Sequence, residues 1–301
     1  MRFMHPMYGC CRNDDGDRTV VRYMATELGR IGVWRRWDEV TSDLAAELDQ
    51  LGYGTLWLGS SPDGQLAIVD ELLDATERIV VATGIVNMWQ DDAETVAASY
   101  HRIIARHPDR FLLGVGIGHP EATQTYRKPY DTMVDYLDRL AAADVPKDGM
   151  ALAALGPRAL RLAAERTAGA HPYLTTPEHT REARTLLGAG PLIAPEQKVV
   201  LDTDPDRARA IARPKVENPY LHLVNYVNNL HRLGWADDDL ANGGSDRLID
   251  ALALHGDAET ITNGVTAHLD AGADHIAIQV LGPDPTAGYR ALAEVLPTRI
   301  H

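Results

Sequence analysis

Cysteine is almost missing from this chain: the two present, Cys10 and Cys11, are adjacent in a polar leader. Adjacent thiols cannot build a disulfide framework, so the core must hold the fold, as expected in a reducing cytoplasm. Long apolar runs are missing too. None approaches the roughly 20 residues of a membrane span, which argues against an integral membrane protein. Basic residues are outnumbered, 29 Lys and Arg against 43 Asp and Glu, giving a formal net charge of -14. So acidic a chain is ill suited to nucleic acid or to an anionic lipid surface. The 12 histidines include no His-x-x-x-His with a third ligand, so no metal site is expected. There is no low-complexity tract, and no repeat beyond the βα unit described below.

What is there suits a large core. The 301 residues are 45% hydrophobic and 24% charged, ordinary for a soluble globular protein, and one α/β barrel can use this length. Residues 1–26 are set apart. Cys10 to Arg18 is polar and shows no period, and the apolar centre of a secretory signal is lacking. This segment is expected to be a disordered extension, with Met24 as an alternative start, and residues 27–301 to form the folded domain.

From Gly29 onward, short β-branched runs alternate with amphipathic helical patterns. Strands are expected at 30–35, 54–59, 78–87, 110–117, 150–155, 170–175, 197–202 and 274–281. Val40, Leu44, Leu48 and Leu51 mark one helix face, and Ile261, Val265 and Leu269 another. Four helices are expected to open on a cap followed by proline: Gly156-Pro157, Thr176-Pro177, Asp204-Pro205 and Asp284-Pro285. Eight strand-helix units is the count of a (β/α)8 TIM barrel. A doubly wound open sheet is the alternative, but no Gly-x-Gly-x-x-Gly follows the first strand. The interval between strands 7 and 8 is too long for one helix. Residues 214–256, carrying Tyr220, Tyr226 and Trp235, read as a helical insertion that covers the mouth, makes a dimer contact, or packs outside the barrel.

Two neighbouring strands end in glycine: Thr83-Gly84-Ile85-Val86-Asn87 and Gly114-Val115-Gly116-Ile117-Gly118-His119. Glycine at a strand's carboxyl end lets a ligand approach the backbone closely. Two such ends side by side suggest a flat ligand, hence a cofactor enzyme. Leu155-Gly156-Pro157 and Thr175-Thr176-Pro177 each end a strand and start a helix, where free N–H groups attract anions. His119, at the fourth strand's end, has the titration range for proton transfer. Trp34 and Trp89 could wall a pocket. Capping for Gly156 and Thr176, a turn for Asn87, a hydrogen bond beside Pro120 for His119 and core packing for Trp34 are the plainer readings. Asp91, Asp92 and Glu94 read as helix-start charges, His101 and His107 as solvated, and His171 as structural.

These stretches resemble the luciferase-like monooxygenase superfamily, in particular its actinobacterial coenzyme F420-dependent oxidoreductases. The resemblance runs over residues 27–300. It is carried by Leu28 to Trp34, Thr55 to Gly59, Ala82 to Trp89, Arg110 to Pro120 and Leu155 to Thr180. It implies a cis peptide at Gly84–Ile85 beneath the cofactor's middle ring. It also implies cofactor contacts from Ser60, Gly84, Ile85, Asn87, Gly116, Gly118, Leu155, Gly156, Pro157, Thr175 and Thr176. Trp34, Ser61 and Trp89 would line the substrate pocket, and Arg35, Arg36 and Lys128 would attract the cofactor's glutamate tail or, on the plainer reading, serve as solubilising surface charges. The superfamily's sugar-phosphate dehydrogenases carry an Asp-His pair where this chain has Ser60-Ser61, and a glutamate where it has His119. That activity is therefore not carried over. The expectation is hydride transfer between F420 and a small organic substrate, with His119 as proton donor or acceptor, in a cytoplasmic homodimer. The alternatives are an FMN-dependent monooxygenase and a degenerate barrel without catalysis.

Overall fold

In a computed structural model, residues 26–118 and 128–296 are described. The expected leader (residues 1–25 of it) and His119 lie outside them. Eleven parallel strands form one sheet. The first five are β1 (Ile31–Arg36), β2 (Thr55–Gly59), β3 (Val80–Gly84), β4 (Val86–Asn87) and β5 (Phe111–Gly116). The others are β6 (Met150–Leu152), β7 (Gly169–Ala170), β8 (Leu192–Ile193), β9 (Glu196–Val200), β10 (Ala253–His255) and β11 (Ile276–Leu281).

The sheet closes on itself. β1 pairs with β2 on one edge and β11 on the other. β8 and β9 form one run broken at Ala194-Pro195. Its one edge bonds to β7, through Ala194 N–H to Ala170 O (3.0 Å) and Glu196 N–H to Pro172 O (2.9 Å). Its other edge bonds to the β11 segment, through Ala277 N–H to Pro195 O (2.9 Å) and Asp274 N–H to Ile193 O (2.9 Å). The ring therefore has eight staves, the TIM barrel expected. The seventh stave is longer than the expected 197–202: it starts at Leu192.

Amphipathic helices surround the ring: α1 (Ser42–Leu51), α2 (Ala67–Asp74), α3 (Ala93–Arg106), α4 (Pro129–Ala142), α5 (Pro157–Arg166), α6 (Pro177–Leu187), α7 (Pro205–Glu217), α8 (Val224–Arg232), α9 (Asp237–Leu240), α10 (Asp246–Leu252), α11 (Ala258–Asp270) and α12 (Pro285–Ala293). Their apolar faces bury Leu48, Leu72, Val96, Ile103, Leu140, Ile261, Val265 and Leu292 against the outward side chains of the strands. Inside the ring, Trp34, Trp57, Val80, Ala82, Leu112, Ala151, Ala194 and Ala277 form a separate core. Two tryptophans fit there because glycine and alanine face them. A Cβ on Gly59 would overlap the Trp34 ring.

Residues 214–256 are not wholly helical. α7 runs through Pro214 to Glu217. After α10 the chain adds β10, which pairs with β9 at Ala253↔Lys198 to His255↔Val200. β11 holds one edge of β9, so β10 takes the edge that β7 leaves at Pro172. It extends the wall upward on that side. Leu221, Leu223, Tyr226, Leu230, Leu248 and Leu252 bury with Leu174, Val200 and Leu281, residues at the carboxyl ends of the strands. Part of this segment thus packs against the carboxyl ends of those strands.

Candidate active site

The floor of the mouth forms where β3 ends. The Gly84–Ile85 peptide is cis, the geometry expected there. A Cβ on Gly84 would lie 3.1 Å from both His171 Nε2 and Trp34 Nε1. β4 then pairs Asn87 with Gly116. A Cβ on Gly116 would fall 3.2 Å from Ile85 Cγ1 and 2.9 Å from the Ala153 side chain. Gly118, at φ +56°, faces Asn87 Nδ2, 2.7 Å from its Cβ position. Gly84, Ile85, Asn87, Gly116 and Gly118 are therefore brought together. Asn87 also makes its turn, its Oδ1 accepting from Trp89 N–H at 2.9 Å.

Two helix starts stand on the neighbouring staves. Gly156 caps α5 and Thr176 caps α6, each followed by proline, and neither gives a side-chain cap. Thr41, Asp92, Asp204, Ser245, Asp257 and Asp284 do accept from their helices' N–H groups, whereas Leu66, Lys128 and Leu223 at the starts of α2, α4 and α8 give no side-chain cap either. The Thr175 and Thr176 hydroxyls are buried without a hydrogen-bond partner. A Cβ on Gly156 would meet nothing within 4 Å. The ends are joined: His179 Nε2–H donates to Leu155 O at 2.8 Å. Uncapped N–H groups and buried idle hydroxyls favour an anion. These residues fit a phosphate group.

Trp34 is nearly buried in the barrel, its Nε1–H unpartnered, so it lies beneath the mouth more than beside it. Trp89 is half-buried, and its Nε1 also lacks a partner. Ser60 and Ser61 follow β2 in left-handed conformations, φ 63° and 53°. Ser60 Oγ accepts from Arg36 at 3.1 Å. Arg35 and Arg36 are already paired, with Glu39 at 3.2 Å and Asp38 at 2.8 Å, so less of their charge is free for an anionic tail. Lys128 is exposed at the start of α4.

A polar cluster under the mouth was missed from sequence. Glu196 and Lys198 point inward from β9, both buried, 3.1 Å apart. The ammonium lies 3.9 Å from the Tyr173 ring centre and 5.6 Å from that of Tyr220. Burial pushes the Glu196 carboxyl up and the Lys198 amine down. Tyr173 also packs on Trp34 at 5.2 Å, and its hydroxyl donates to Gln279 Oε1 at 3.1 Å. The signal was present as Glu-Gln-Lys inside an apolar run, since charges in a barrel strand must face something.

Deeper in, His171 stacks on Trp57 at 4.0 Å, and Trp57 Nε1–H donates to His275 Nε2 at 3.0 Å. Burial lowers both histidines to about 4. His171 is buried, as a structural role requires. His101 and His107 are not simply solvated. His101 Nε2 bonds Ala143 O at 2.8 Å, and His107 lies 3.1 Å from Asp74, because both helix faces pack on neighbours. Asp92 caps α3, and Asp91 Oδ1 accepts from Gly64 N–H at 2.8 Å. Among the described residues no His, Cys, Asp and Glu cluster could hold a metal, and no helix is long and apolar enough to cross a membrane.

No family model matches the chain, and no curated protein does. Solved structures do. An F420-dependent secondary alcohol dehydrogenase in complex with an F420-acetone adduct matches with a TM-score of 0.71 at 15% identity, covering 91% of this chain and 100% of that one. The F420-dependent tetrahydromethanopterin reductase from Methanopyrus kandleri gives 0.69 at 15%, covering 90% and 99%. The oxygenating constituent of 3,6-diketocamphane monooxygenase from Pseudomonas putida, in complex with FMN, gives 0.64 at 14%, covering 91% and 99%. The chain has the fold of these enzymes, in agreement with the resemblance drawn from its sequence.

Proposed function

We propose that the chain is an oxidoreductase of the luciferase-like class that binds F420 at the carboxyl-end mouth and transfers hydride to or from a small organic substrate. One observation carries the reading. Two joined, uncapped helix starts with buried idle hydroxyls stand beside a floor kept open by Gly84 and Gly116. The N–H groups after Gly156 and Thr176 and the hydroxyls of Thr175 and Thr176 would hold the phosphate, with Leu155 and Pro157 shaping the first helix start. Gly84, Ile85, Asn87, Gly116 and Gly118 would carry the ring, and Ser60 would meet its edge from across the mouth.

When bound, the deazaflavin supplies the hydride chemistry. The chain's own residues do the rest. Ile85 and the glycines fix the ring's plane and exclude water beneath it. Ser61, Trp89 and the Tyr173–Tyr220 pair bound the substrate space. His119 is proposed to give or take the proton at the substrate's oxygen, where hydride transfer changes the charge. FMN is the second reading, favoured by the match to the FMN-bound monooxygenase, since FMN too carries a phosphate that the same helix starts could take. The proposal includes a homodimer and no nucleic acid partner.

The test is a fluorescence titration of the purified protein with each cofactor. F420 should bind at about micromolar affinity or better and FMN much more weakly. Comparable or tighter FMN binding would move the chain to the monooxygenase reading, and failure of both would leave a barrel without a cofactor.

A further inference from the structure

The start of α6 is pinned from two sides, and the pins differ. Towards the neighbouring stave, His179, fully buried in the first turn, reaches Leu155 O at 2.8 Å. A carbonyl only accepts, so Nε2 carries the proton and Nδ1 is bare. That Nδ1 is buried without a partner. Away from the mouth, Thr180 Oγ1 lies 2.8 Å from His268 Nδ1, and His268 Nε2 lies 2.9 Å from Gln197 Oε1. Gln197 spends its amide N–H groups on Lys198 O and Leu252 O, so its Oε1 accepts. Thr180 therefore donates to His268, and His268 to Gln197. This second pin ties α6 to β9 and never reaches the other helix start.

Only the first pin spans the two helix starts. Leu155 precedes Gly156, whose N–H and those after it open α5. Thr175 and Thr176, with their idle hydroxyls, precede His179 by four and three residues. The charged groups facing His179 are Arg232 from α8, which lowers its pKa after burial has done so, and Glu182 from its own helix, which raises it. Arg232 and Glu182 are paired with each other.

We infer that His179 is a positioning residue: its Nε2–H to Leu155 O bond sets the spacing of the two helix starts so that one phosphate bridges them. Its own ring does not donate to the phosphate, because its single N–H is committed to Leu155. This rests on the proposed phosphate site. It adds that the site's affinity is stored in one cross-stave hydrogen bond.

Phosphorylated and unphosphorylated ligands separate the role from simple stability. The probes are F420 and FMN against the deazaflavin alcohol without phosphate and riboflavin. His179→Leu should weaken F420 and whichever flavin phosphate binds by about tenfold or more, and leave the unphosphorylated partners within about twofold. His179→Gln, whose amide can still donate to Leu155 O, should recover most of the loss. Thr180→Val, which cuts the other pin, should lower the melting temperature and leave the phosphate preference unchanged. Should His179→Leu not fold, His179→Met makes the same test with a flexible chain. Equal loss for both ligand classes, or an unchanged preference in His179→Leu, would overturn the inference. A wild-type protein that binds F420 but shows no preference for phosphate would overturn the phosphate site itself, and the role of His179 with it.

Discussion

Single side chains set several local geometries, and each invites a substitution. Asp49, buried at the end of α1, accepts from the N–H groups of Glu77 (2.7 Å), Arg78 (3.1 Å) and Ile79 (3.1 Å) where the chain enters β3. Asp49→Ala would leave these donors without their charged partner and should cost roughly 2–4 kcal/mol in urea unfolding, near the upper range for hydrogen bonds to a charged group. Thr175→Val runs the other way. Its hydroxyl is buried and idle, so an isosteric methyl should leave the free protein as stable or more so, while weakening phosphate binding. Thermal melting with and without F420 measures both effects. The buried histidines add a pH response. His171, His268 and His275 are lowered by burial to about 4, from 6.5. The unfolded chain therefore takes protons first as pH falls, and stability should drop steadily from about pH 6.5 to pH 4. Unfolding midpoints at pH 7.5 and pH 5 check the sign: equal midpoints would mean that these rings are solvated.

At the scale of elements, the helix starts divide by their caps. Aspartates cap α7 and α12 just before a proline, while Gly156 and Thr176 leave α5 and α6 open. Gly156→Val should therefore be cheap for the fold, within about 1 kcal/mol, because its Cβ meets nothing within 4 Å at an ordinary negative φ. It should still weaken F420 binding at least as much as Thr175→Val, by crowding the space above the N–H groups. The βα alternation made these starts legible in sequence, since proline after a cap residue has few other uses. Other elements were hidden. β8 and β9 read as a late, short strand because Pro195 breaks the run, and only the bonds on either side of it show one stave. β10 has three residues, too few for a period to register. The Glu196–Lys198 pair was hidden by side-chain direction. Alternation says that residues 196 and 198 share a face, but only the closed ring shows that this face is the interior. His179 looked like any polar residue of a helix's first turn, and its partner carbonyl lies 24 residues away.

The whole molecule is a closed barrel whose mouth is walled unevenly. Strand ends with glycine lie on one side, and aromatic rings over a buried ion pair lie on the other. Its acidity, -14 in formal charge, makes the few cations near the mouth conspicuous, but Arg35 and Arg36 are tied to Glu39 and Asp38. Raising salt should therefore change F420 affinity only modestly, as in the proposed site backbone N–H groups and hydroxyls would hold the phosphate. The central claim is that one ligand spans from the Gly84–Ile85 floor to the helix starts at Gly156 and Thr176. A crystal structure of the protein with F420 tests it most directly. The account predicts the ring over Ile85 and Gly116, and the phosphate within hydrogen-bond reach of N–H groups from both helix starts and of the Thr175 or Thr176 hydroxyl. A phosphate bound elsewhere on the barrel, with those hydroxyls still idle, would contradict it.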